Sequence, residues 1–127
     1  MARTHLKHSW ETSSTIEAAK PKLGDFLDQN KMNVVSQDYA EALNVTADQG
    51  SQLITRLLGG WFVNPIHFPK RARISLYPMD GGIRVEATIE ETLGVSWFDR
   101  AFQNRYEGYF RTWMDALLSV FPPSKEP

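Results

Sequence analysis

The clearest periodicity in the chain lies between residues 71 and 90, where apolar and polar side chains alternate with period two. Ala72, Ile74 and Leu76 share one face, as do Ile83, Val85, Ala87 and Ile89. Arg71, Arg73, Ser75 and Tyr77 point the other way, along with Arg84, Glu86, Thr88 and Glu90. Alternation of this kind marks strands with one face on a core and the other in water. Turn residues separate the two runs. A four-residue loop from Pro78 to Gly81 predicts a hairpin that pairs Ile74 with Val85 and Arg73 with Glu86, so that the faces match.

A helical period follows. Phe98, Phe102, Tyr106, Tyr109, Phe110, Trp113, Leu117 and Phe121 fall on one stripe, with Arg100, Gln103, Glu107, Arg111 and Asp115 interspersed on the other side. Ser96 to Asp99 supply a cap, with Asp99 at the positive end of the dipole. A helix from 97 to about 120 would be about 35 Å long at 1.5 Å per residue, enough to cross a small sheet.

The first half carries shorter signals. Residues 4–12 alternate weakly, with Leu6, His8 and Trp10 on one side, and predict a strand. Ser14 and Glu17 fit a capping box. Ile16, Ala19, Leu23, Phe26 and Leu27 then follow at helical spacing to about Asn30, and Pro21 either kinks that helix or starts a second segment. Residues 33–36 read as a short strand, Leu43, Val45 and Ala47 as another, and Asp48 to Gly50 as a turn. Residues 52–58 read as a further strand, with Gly59 and Gly60 at a bulge or bend. Two prolines between 61 and 69 exclude that segment from a central strand.

The predicted order is strand, helix, an antiparallel meander of four or five strands, and a long helix. This α+β order resembles helix-grip and TATA-binding-protein-like domains. The resemblance implies a curved antiparallel sheet packed on the C-terminal helix. It covers element order alone and implies no activity.

Composition narrows the function classes. The chain has 127 residues, 42% hydrophobic and 23% charged, which suits one globular domain over 1–121, with 122–127 expected to be a disordered tail. A net charge of −1 argues against nucleic acid or an anionic membrane as partner. Cysteine is absent, which removes disulfides and thiolate chemistry. No apolar run is long enough to span a membrane, and the polar N-terminus lacks the core of a secretory signal, so a cytoplasmic location is expected.

No catalytic motif is present, and neither a cofactor nor a metal site is expected. His5 and His8 point to opposite faces of a strand, so that pair cannot chelate a metal, and His67 lies far away in sequence. Glu90 and Glu91 are adjacent and also face opposite ways, with one of them a partner for Arg71. Between 59 and 73, Trp61, Phe62 and Phe68 stand beside Lys70, Arg71 and Arg73, a mixture that binds anionic amphiphiles, stacked bases or acidic partners, or merely plugs the core.

The aromatic surplus carries the sharpest expectation. With seven Phe, four Trp and four Tyr, bulky rings under a sheet can leave an apolar pocket. Its expected ligand-binding residues are Arg56, Trp61, Phe62, Tyr106, Tyr109 and Trp113. Arg56, Tyr106 and Tyr109 would hold the head of a small apolar or amphipathic ligand. Two rival readings stand beside this one. One is a homodimer built through an unpaired strand or leftover aromatics. The other is a small acid–base enzyme using histidine and carboxylate in the same pocket.

Overall fold

The computed structural model describes residues 5–49, 70–91 and 100–124, the last stretch without the side chains of 100–103 and 105. Expectations for 50–69 and 92–99 lie outside the described residues. These include the 52–58 strand, the bend at Gly59 and Gly60, the Ser96–Asp99 cap, and the roles of Arg56, Trp61, Phe62, His67, Phe68 and Phe98; the expected role of the Phe102 side chain likewise lies outside what is described.

The alternating runs form β4 (Lys70–Met79) and β5 (Gly82–Glu91). Their hairpin is tighter than expected. Met79 pairs with Gly82, leaving Asp80 and Gly81 as the loop, and Gly81 takes a φ of 81°, where glycine avoids the Cβ penalty. Pairing therefore slides by two residues: Ile74 faces Ala87, Leu76 faces Val85, and Arg73 faces Thr88. A slide of two matches the strand period, so every side chain keeps its expected face.

Three more strands complete an antiparallel sheet in the order β1-β5-β4-β3-β2. They are β1 (His5–Thr12), β2 (Asn33–Tyr39) and β3 (Leu43–Gln49). β2 to β5 form a meander, and β1 returns to pair with β5. β3 runs through the expected turn at Asp48 because both of its last residues are anchored. Asp48 accepts a bidentate pair from Arg71 at 2.6 and 2.8 Å, and Gln49 bonds to backbone beyond the first helix. β2 is longer than the predicted 33–36 strand and has a register shift between Val34 and Ser36.

The two helices among the described residues bury their stripes in one core with the apolar sheet face. α1 (Ile16–Gln29) contributes Ile16, Ala19, Leu23, Phe26 and Leu27, the five residues expected from spacing. Its cap is Thr15, not Ser14. The Thr15 hydroxyl accepts from the Ala18 N–H at 3.1 Å, and with Ile16 as the first helical residue Glu17 falls one position short of closing a capping box. Pro21 starts no second segment; the helix continues through it, leaving the Glu17 carbonyl without its usual helical donor.

The far end of α1 closes in a Schellman motif. Lys31 N–H donates to Asp28 O and Met32 N–H to Leu27 O, with Lys31 at a φ of 57°. Leu27 and Met32 are both buried, which supplies the apolar contact of that motif.

The long helix α2 (Arg100–Val120) buries Tyr106, Phe110, Trp113, Met114 and Leu117. Phe121 follows into the core, and its carbonyl accepts from the Trp10 indole at 2.7 Å. Residues 122–124 then lie against β1, where Thr12 Oγ1 donates to Pro122 O and the Ser124 N–H donates to Glu11 O. Among the described residues the architecture is thus α+β, a five-strand antiparallel sheet carrying two helices.

Candidate functional site

The core face of the sheet is a stack of cross-strand rows. Leu43, Leu76, Val85 and Trp10 form one row, and Ala47, Ala72, Ile89 and Leu6 form another. At the end of the stack the chemistry changes. Gln49 pairs with Lys70, and Lys70 pairs with Glu91. These side chains stand on the same face as the apolar rows and are buried: 7% exposed for Gln49, 0% for Lys70 and 4% for Glu91. An amide, an amine and a carboxyl group therefore line up beneath α2, at the end of β3, the start of β4 and the end of β5.

Gln49 organises the row. Its Nε2 donates to the carbonyls of Asn30 and Lys31, at the C-terminal turn of α1. Those bonds set the direction of the amide, because only Nε2 can donate to them. Oε1 is thereby turned toward Lys70 Nζ, which donates at 3.3 Å, and Tyr109 Oη, which donates at 3.2 Å. The Lys70 amine also lies 4.5 Å from the centre of the Tyr109 ring, a cation–π distance.

Burial shapes the protonation of these groups. Desolvation disfavours the charged ammonium and lowers the Lys70 pKa to about 7. Desolvation also raises the Tyr106 phenol well above its ordinary value, and the nearby Glu91 carboxylate adds to that shift. The half-buried Tyr109 is raised by desolvation as well. At neutral pH both phenols are proton donors, while the lysine titrates.

The expected site residues divide in three. Tyr106 and Tyr109 reach the polar row. Trp113 is fully in the core, edge-on to Phe26 of α1 at 5.3 Å, and its indole Nε1 has no hydrogen-bond partner among the described residues. Arg56, Trp61 and Phe62 lie outside the described residues.

The three residues of the row carry no signal of a site in the sequence. Lys70 adjoins Arg71 and Arg73 in sequence, yet the strand period separates them. Lys70 turns into the core, Arg71 pairs with Asp48, and Arg73 pairs with Glu90 at 3.0 Å. Arg71 makes its ion pair with Asp48, its cross-strand neighbour on β3, while Glu90, its cross-strand neighbour on β5, adds a coulombic attraction. Glu91 adjoins Glu90 in sequence but takes the inward face. Extending the alternation by one residue past each end of the hairpin would have placed both 70 and 91 inward. Gln49 was hidden in a supposed turn.

The remaining features sit elsewhere. His5 lies opposite Glu90 and His8 opposite Ala87, and both side chains are exposed, outside the polar row. Among the described residues no cluster of three or more His, Asp or Glu could hold a metal ion. No helix among them is long and apolar enough to cross a membrane. A groove of about 530 Å³ opens at the opposite end of the sheet, lined by Ile16, Tyr39, Met79 and Ile83 among others. A hollow of about 160 Å³ separates α1 from β2 and β3.

No family model matches the chain, and no curated protein is significantly similar to it.

Proposed function

We propose that this chain binds a small apolar or amphipathic molecule between the sheet and α2, with the ligand's polar head at the Gln49–Lys70–Glu91 row. The observation that carries the reading is the Lys70 amine, fully buried between Gln49 and Glu91 at the end of a largely apolar sheet face. Burying an ionisable group costs several kcal/mol, and a methionine would fill similar space without that cost. Strongly perturbed groups of this kind gather at functional sites. Tyr106, Tyr109 and Trp113 are the ring-bearing wall in this reading, and Lys70 takes the orienting role expected of Arg56. We read the element order, with β1 returning beside β5, as helix-grip-like.

The test is a titration with a fluorescent apolar dye, displaced by octanol, on wild type, Lys70→Met and Tyr109→Phe. Saturable binding by wild type is expected, with octanol about tenfold weaker in each variant, the worth of roughly one hydrogen bond at a desolvated site. An absence of saturable dye binding by wild type would overturn the reading.

A second reading, self-association, is favoured by β2. This edge strand is exposed along its whole length, with Val34 48%, Val35 54% and Tyr39 52% accessible. Apolar side chains on an open edge recruit another strand.

A further inference from the structure

We propose that Lys70 is a nucleophile, and that the site takes an apolar aldehyde and holds it as an imine. This inference rests on the binding reading above and narrows its ligand class. Three features of the geometry carry it. The amine is fully buried at the sheet end, where water that would hydrolyse an imine is excluded. It shares one acceptor, Gln49 Oε1, with the Tyr109 hydroxyl, so a nucleophile and a proton donor converge on a single oxygen. Glu91 stands directly across from Lys70, which makes the row a poor seat for a carboxylate ligand and leaves a neutral carbonyl as the head that fits.

Among the described residues, ionisable groups around the amine include Glu91 from β5 and Tyr106 and Tyr109 from α2. Burial supports the chemistry. With its pKa lowered to about 7, Lys70 is roughly half free base at neutral pH, against about one part in three thousand for an ordinary lysine.

The reaction balances without an oxidant or reductant. The amine lone pair attacks the carbonyl carbon, a C–N bond forms, and the π pair moves to oxygen. That oxygen takes a proton and the nitrogen loses one, giving a carbinolamine. The C–O bond then breaks as the hydroxyl takes a second proton and leaves as water, while nitrogen gives up its other proton to form C=N. Tyr109, kept protonated by burial, can deliver a proton, and the Glu91 carboxylate can accept one.

The experiment exposes the full-length wild-type chain at pH 7 to octanal with cyanoborohydride, which reduces an imine to a stable secondary amine. The labelled lysines are then mapped by peptide mass. Expected is one octyl group per chain on Lys70, at least about tenfold faster than on the exposed Lys7, Lys20, Lys22 and Lys31. The adduct should be lost in Lys70→Arg, which keeps a cation without a nucleophilic amine. Labelling spread over the exposed lysines, or no labelling, overturns the covalent inference. If octanol still displaces the dye in that case, the binding reading survives; if it does not, both fall. Because the decisive mapping uses wild type, a poorly folded variant does not blunt the test.

Discussion

Replacing Lys70 by methionine should stabilise this protein, and by an amount that depends on pH. The amine is fully buried, with its pKa lowered from 10.5 to about 7 by desolvation. Between these two values the unfolded chain binds a proton that the folded chain does not, so wild-type stability rises with pH across that window. Below pH 7 both states carry the proton, and the destabilisation is complete. The full effect is about 4–5 kcal/mol, at about 1.4 kcal/mol per pH unit. Methionine removes the titration and fills the same space. Urea unfolding of both proteins between pH 6 and 9.5 measures the difference directly. The advantage of Lys70→Met should be greatest at pH 6–7 and shrink by about 3 kcal/mol between pH 7.5 and 9.5. Tyr106 and Tyr109 have raised pKa values, so they lose stability only as pH climbs through the tyrosine range near 10, above this window. Parallel pH curves for the two proteins would refute the reasoning, because they would mean that the buried amine keeps an ordinary proton affinity, compensated by charge within the fold.

Three further outcomes are expected. Trp113→Ala should cost about 3–5 kcal/mol in denaturant unfolding, since the ring is in the core against Phe26; a loss under about 0.5 kcal/mol would deny it that place. Lys31→Gly should raise stability by a few tenths to about 1 kcal/mol in thermal unfolding, because glycine relieves the left-handed φ of 57° while keeping the N–H bond to Asp28. If β2 mediates self-association, wild type should dimerise at high micromolar concentration in light scattering and Val35→Lys should not, with monomer stability changed by no more than about 0.5 kcal/mol. A monomeric wild type would remove that reading.

Much of the architecture was legible because it rests on local periodicity. The five buried residues of α1 and the two faces of the hairpin follow from spacing alone. So does the helical stripe through Tyr106, Phe110, Trp113 and Leu117. Where the reading slipped, non-local partners decided. The hairpin register moved by two residues because Asp80 and Gly81 suffice for the turn, a choice invisible to the alternation. The strand at Gln49 outran its turn residues because Arg71 and the end of α1 hold them extended. Edge strand β2 has no alternation to find, since neither of its faces is buried.

The candidate site divides along the same line. By itself the sequence determined the faces: the period-two pattern, carried one residue further, puts position 70 with Ala72 and position 91 with Ile89. It also determined that Tyr106 and Tyr109 sit on adjoining turns of one helix. Only the tertiary structure decided that Gln49, Lys70 and Glu91 form one row, because each is 21 residues from the next and only sheet pairing brings them side by side. It also decided that the row is dry. A lysine and a glutamate at strand ends ordinarily reach water. Here α2 lies over the face on which they stand, and the loss of solvent, which no local pattern encodes, lowers the proton affinity of Lys70.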